Sequence, residues 1–177
     1  MRTYFSLILG LTMAISTVAI AQQPTGRGRG PGSVPEAPPA PPAPPAGSAG
    51  TYKSGAELME ILKKNMSPTG EMTTSAVSNT DQYRINIVHR VKPAGAIAHP
   101  GNTELHYIIE GSATVVTGGT IKRPAAGSTE LASIEGGTTK HVTKGDVVIV
   151  PENSAHWYKD IEGQITYLEV RWLAPKK

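Results

Sequence analysis

The chain has 177 residues, a formal charge of +3 at neutral pH and no cysteine. Without disulfides, an exported domain must be stable through its core alone. From Thr51 onward there are 14 Lys+Arg against 13 Asp+Glu, a net charge of +1 that implies no polyanion partner for the folding part.

The N-terminal stretch MRTYFSLILGLTMAISTVAIAQQ has one early positive charge, Arg2, then an apolar run from about Leu7 to Ile20. It closes on Ala19-Ile20-Ala21, a small-x-small cleavage pattern. Residues 1–21 are therefore predicted to be a signal peptide that is removed in the mature protein. The apolar run is short for a membrane anchor, since crossing a bilayer takes roughly 20 apolar residues. No membrane span is expected after cleavage. The expected location is outside the cytoplasm, periplasmic or secreted.

Residues 22–50 hold nine of the 15 prolines and six of the 19 glycines. Such a segment has almost nothing to bury, so it predicts an extended, disordered linker. Two arginines in GRGRG, Gly26 to Gly30, are too few to suggest an RNA-binding tract, and no nucleic-acid partner is expected.

Residues 51–177 form the predicted folded domain. Ser54 and Glu57 make a capping box. Leu58, Met59, Ile61, Leu62 and Met66 follow at helical spacing, and Ser67-Pro68-Thr69-Gly70 stops the helix. Everything after that reads as β. Tyr83 to Val91 is a strand, and Lys92 to Gly95 a turn. Glu104 to Glu110 is a strand that Gly111-Ser112 is expected to turn into a second strand, Ala113 to Val116. Gly118-Gly119 turns the chain again, and Lys122 to Ser128 is a loop. Lys144-Gly145-Asp146 is a tight turn before Val147 to Val150, and Pro151 to Ser154 is another. The last strand is expected at about Ile165 to Trp172. Short strands with regular turn signals predict an all-β sandwich or barrel carrying one short helix.

AHPGNTELHYIIEG, Ala98 to Gly111, gathers His99, Glu104 and His106 in a chain with five histidines. Gly145, Pro151 and His156 form a second spaced set in GDVVIVPENSAH. The two sets, in this order, resemble the two motifs of the cupins: G-x5-H-x-H-x(3,4)-E-x6-G and G-x5-P-x-G-x2-H-x3-N. Glu104 and Gly111 have the first motif's spacing. His99 stands where its second histidine falls, and Ile97 replaces the first. In the second motif, Asn153 replaces a glycine and Asp160 the final asparagine. The resemblance covers roughly Tyr83 to Trp172. It implies a double-stranded β-helix, a jelly-roll barrel with a metal site. It also implies a divalent metal (Mn, Fe, Zn or Ni) on His99, Glu104 and His156, one ligand short of the family's three histidines and one glutamate. A small-molecule ligand or substrate and a homodimer belong to the same expectation. Dioxygenase, isomerase and lyase chemistries all occur on this fold, so the reaction stays open.

Strand alternation points Glu104 and His106 to the same side. His106 is then either a substitute ligand or a pocket-lining residue. Ile97 and Tyr158 are the other predicted pocket-lining residues, while Trp157 should face away. No catalytic residue is assigned. His89 and His141 lie outside both motifs and read as strand or surface histidines. Against the metal stands a second reading: a metal-free barrel in which His99 and His156 are interior polar groups hydrogen-bonded to each other, to Glu104 or to water, serving a binding or structural role.

Overall fold

The computed structural model describes residue 39 and residues 41–173; the predicted signal peptide and most of the predicted linker lie outside the described residues. The chain runs α1 (Gly55–Asn65), β1 (Met72–Asn79), β2 (Tyr83–Arg90), β3 (Asn102–Thr117), β4 (Thr120–Lys122), β5 (Ser133–Glu135), β6 (Thr138–Thr143), β7 (Val147–Val150) and β8 (His156–Leu173). Strands β1-β2-β8-β3-β6 hydrogen-bond in that order, with β7 also on β3; β4 and β5 pair separately. Every pairing is antiparallel.

The predicted capping box starts α1. Ser54 caps the Glu57 backbone N–H, and the Glu57 carboxylate accepts from the Ser54 N–H at 2.7 Å. Leu62 is the helix's fully buried residue. Asn65 donates to the Ser75 hydroxyl at 3.0 Å, tying the helix to β1. That strand, MTTSAVSN, has no apolar alternation to betray it. Its two buried positions are Thr73 and Ser75, so the period of two is written in polar residues.

Two expectations need correction. Gly111-Ser112 does not reverse the chain: β3 runs 16 residues straight through it. The pairing with β8 slips there, between Ile108 and Glu110 and again between Gly111 and Ala113. Gly111 has φ +79°, and an added Cβ would lie 2.0 Å from the Gln164 carbonyl oxygen. A glycine read as a turn is thus a bulge in a long strand, where only the missing side chain permits the approach. The last strand likewise starts at His156, not near Ile165. Its first half is rich in charge, with Lys159, Asp160 and Glu162, which hid its β character.

The barrel interior is read in rows across β2, β8 and β3. Arg84, Arg171 and Glu104 are paired neighbours, as are Asn86, Glu169 and His106, and then Val88, Tyr167 and Ile108. The apolar core continues from there through Ala113, Val115, Val142 and Ile165. One end of the interior is therefore apolar and the other ionisable. No helix among the described residues is long and apolar enough to cross a membrane.

Candidate metal centre

The polar end is assembled by two turns. His99-Pro100-Gly101-Asn102 closes with the Asn102 N–H on the His99 carbonyl at 3.4 Å. Pro100 sets the first corner, and Gly101, at φ +75°, the second. The turn folds His99 back over the start of β3, where its Nδ1 meets Glu104 Oε1 in a very close contact. The second turn, Pro151 to Ser154, has Asn153 at φ +62°, the glycine-like conformation that asparagine tolerates. It delivers His156 to the start of β8. There the His156 N–H donates to the Ile97 carbonyl at 2.8 Å, and the Ile97 N–H donates back at 3.1 Å.

Glu104 is 1% exposed and sits among four nitrogen-bearing side chains. Besides His99, it faces His106 Nε2 at 3.2 Å, Arg171 Nε at 3.6 Å and His156 Nε2 at 3.7 Å. Burial opposes its charge, but the hydrogen bonds of His106 and His99, with the fields of His156 and Arg171, outweigh that and hold its carboxyl far below the usual range. His156 is lowered too, but for a base that shift favours the neutral form. Burial lowers it to about 4, with the nearby Glu104 charge offsetting only part of the effect.

One ligand atom each from His99, Glu104 and His156 lie within 4.8 Å of one another. Two ligands of one metal, each about 2.0–2.2 Å from it, are roughly 4 Å apart at most, so the trio fits a divalent ion after small side-chain movements. His156 Nδ1 is buried with no hydrogen-bond partner among the described residues. Two histidines and a carboxylate also leave positions open for water or a ligand.

His106 belongs to a different group, with Glu104 and Glu169. Its Nδ1 is spent on the Tyr158 hydroxyl at 3.0 Å while its Nε2 faces Glu104. It thus links Tyr158 to Glu104 instead of completing the trio. Tyr158 itself is buried against Tyr167, their rings stacked at 4.8 Å. Burial raises its phenol well above the ordinary value, so it stays protonated. Ile97, predicted to line the pocket, is 42% exposed. Trp157 turns outward and donates its indole N–H to the Ala94 carbonyl at 2.8 Å. His89 is bonded to Thr166, and the exposed His141 to Glu162.

Sequence reasoning missed Arg171, Glu169 and Asn86. Arg171 donates to Glu169 at 2.5 Å, and Asn86 donates to the other Glu169 oxygen at 2.9 Å. The only sequence trace of this network was the alternation of Tyr167, Glu169 and Arg171 along one face of the last strand.

The fold and the His–Glu–His set define a small β-barrel protein of the double-stranded β-helix class, with a cluster of metal-ligand side chains at its polar end. The cupin family model matches residues 60–167, more than half of the chain, and the chain belongs to the cupin family. Among solved structures it is similar to an uncharacterized conserved protein with a double-stranded β-helix domain from Klebsiella pneumoniae. That match has 16% identity and a TM-score of 0.50, and covers 73% of this chain and 100% of the other. The cupin domain of Cnp3 from Schizosaccharomyces pombe matches at 14% identity and TM-score 0.46, over 63% of this chain and 72% of that one. KdgF from a Halomonas species matches at 12% identity and TM-score 0.45, over 62% and 87%. No curated protein matches the sequence.

Proposed function

We propose that this is an exported cupin that holds one divalent metal ion through His99, Glu104 and His156 and acts on or binds a small molecule at the open positions. The observation that carries the reading is the convergence of one atom from each of these three residues within 4.8 Å at the barrel's polar end. When bound, the metal would polarise a ligand oxygen or activate water or O2. The chain's own residues do the positioning. Tyr158 orients His106, His106 and Arg171 hold Glu104, and Glu169 with Asn86 fixes Arg171. In the metal-free protein His99 Nδ1 and Glu104 Oε1 contact each other directly, so a metal between them would take the place of that contact. Export is supported by the apolar N-terminal run ending in Ala19-Ile20-Ala21. A homodimer through the outer sheet face is part of the reading, supported by Tyr107, Val147 and Ile149, which are 43%, 52% and 60% exposed there.

Purified protein reconstituted with manganese, iron(II), nickel or zinc should retain about one equivalent of metal. Retention should be lost in the His99→Ala, His156→Ala double variant. Near-zero uptake by the wild type would overturn the proposal. A metal-free binding barrel is the second reading. It is favoured by Ile97 in place of a ligand and by the way His99, His106 and Arg171 already satisfy Glu104. Ligand-induced thermal stabilisation that is indifferent to chelators would select it.

A further inference from the structure

A cleft of about 410 Å³ opens beside the trio, lined by His99, Asn102, Arg84 and Arg171 among others. That is the size of a small-molecule site. Arg84 and Arg171 are direct cross-strand partners in the β2–β8 register. Like charges in that relation repel unless something offsets them. Arg171 has its offset in Glu169 and Glu104. Arg84 is exposed and forms no ion pair among the described residues. Among the described residues the one carboxylate lining the cleft is Asp81, whose Oδ1 accepts from the Ala43 N–H at 3.0 Å. Arg84 is thus the cleft's unpaired guanidinium among the described residues, while Arg171 is already held by Glu169 through Nη2 and faces Glu104 through Nε. Glu169 holds the Arg171 side chain in place, so its fork is preorganised.

We propose that the cleft binds a small organic anion, with Arg84 and Arg171 gripping its carboxylate or phosphate group beside His99. A planar guanidinium fork matches either oxyanion, and a paired fork at the mouth of a half-enclosed cleft selects for charge more than for shape. The inference deepens the proposed function and rests on it for the identity of the second contact, because a metal on His99, Glu104 and His156 would add positive charge on the same side. The arginine pair is a separate observation and can be tested alone.

Metal-free full-length protein is titrated calorimetrically with malonate, with inorganic phosphate and with neutral malonamide. Zinc uptake is measured in parallel on wild type and Arg84→Gln. One or both anions should bind the wild type, malonamide should not, and Arg84→Gln should weaken anion binding by about tenfold or more. Tighter malonate assigns a carboxylate ligand, and tighter phosphate a phosphorylated one. Zinc uptake should be the same in both proteins, which also shows that the variant folds. Equal anion affinity in wild type and Arg84→Gln, equal binding of malonamide, or no anion binding would overturn the proposal. If the wild type takes up no zinc yet binds malonate through Arg84, the anion site stands and the metal centre falls. Zinc uptake with malonate indifferent to Arg84 gives the reverse.

Discussion

The two ends of the barrel interior are built on the same strands and do opposite work. At one end Val88, Tyr167 and Ile108 sit side by side and lead into Ala113, Val115 and Ile165. Two residues further along each strand, roughly 6.8 Å away, the row is Asn86, Glu169 and His106; one step more and it is Arg84, Arg171 and Glu104. The apolar end is stabilised by removal from water. The polar end is held by hydrogen bonds and ion pairs, because each buried charge has lost its solvent. The first supports the second: a site that is costly to fold is placed on strands anchored by cheap apolar burial.

Three measurements would break or sharpen this contrast. The largest effect is expected at the apolar end. Ile165 is fully buried, and Ile165→Ala should lower stability by about 2–5 kcal/mol in urea unfolding, while metal uptake per folded molecule stays unchanged. A loss of metal binding in the folded fraction would show that the ends are not separable.

Next in size is the acid response of the polar end. His156, lowered to about 4 in the folded state, binds its proton more readily when unfolded. Stability of the metal-free protein should therefore fall as pH drops from about 6.5 towards 4, by on the order of 3 kcal/mol. Glu104, also depressed, extends the loss below the ordinary carboxylate range, since the unfolded carboxyl takes up its proton first. In His156→Asn the loss between pH 6.5 and 4 should flatten, and unfolding midpoints across that range would read it. An unchanged slope would remove His156 as its source.

The smallest effect falls where the two ends meet. Tyr158→Phe keeps the ring stacked on Tyr167 and removes the hydroxyl that faces His106 Nδ1. A cost of about 1–3 kcal/mol is expected from the unpaired buried nitrogen, together with weaker metal retention as His106 loses its hold on Glu104. Full stability and full retention would show that His106 is oriented by its packing alone.

Much of the fold was legible because it is local. Ser54 and Glu57 marked a helix start, and the glycine and proline turns marked strand ends. The spacing of His99, Glu104, Gly111, Gly145, Pro151 and His156 carried the cupin resemblance. What escaped was non-local or disguised. Strand β1 hides its inward face in Thr73 and Ser75, and Gly111 reads equally as a turn or a bulge until Gln164 is brought against it.

By itself, the sequence determined the family, most of the turns and the three residues that meet at one point, because motif spacing and turn chemistry act within a few residues. Only the tertiary structure decided what surrounds them. Arg171 stands opposite Glu104, Glu169 opposite His106 and Arg84 opposite Arg171 through registers joining residues more than 60 positions apart. A slip of one residue would turn each of these side chains to the other face of the sheet. Local periodicity says which residues share a face, and packing of the whole barrel fixes which of them become neighbours.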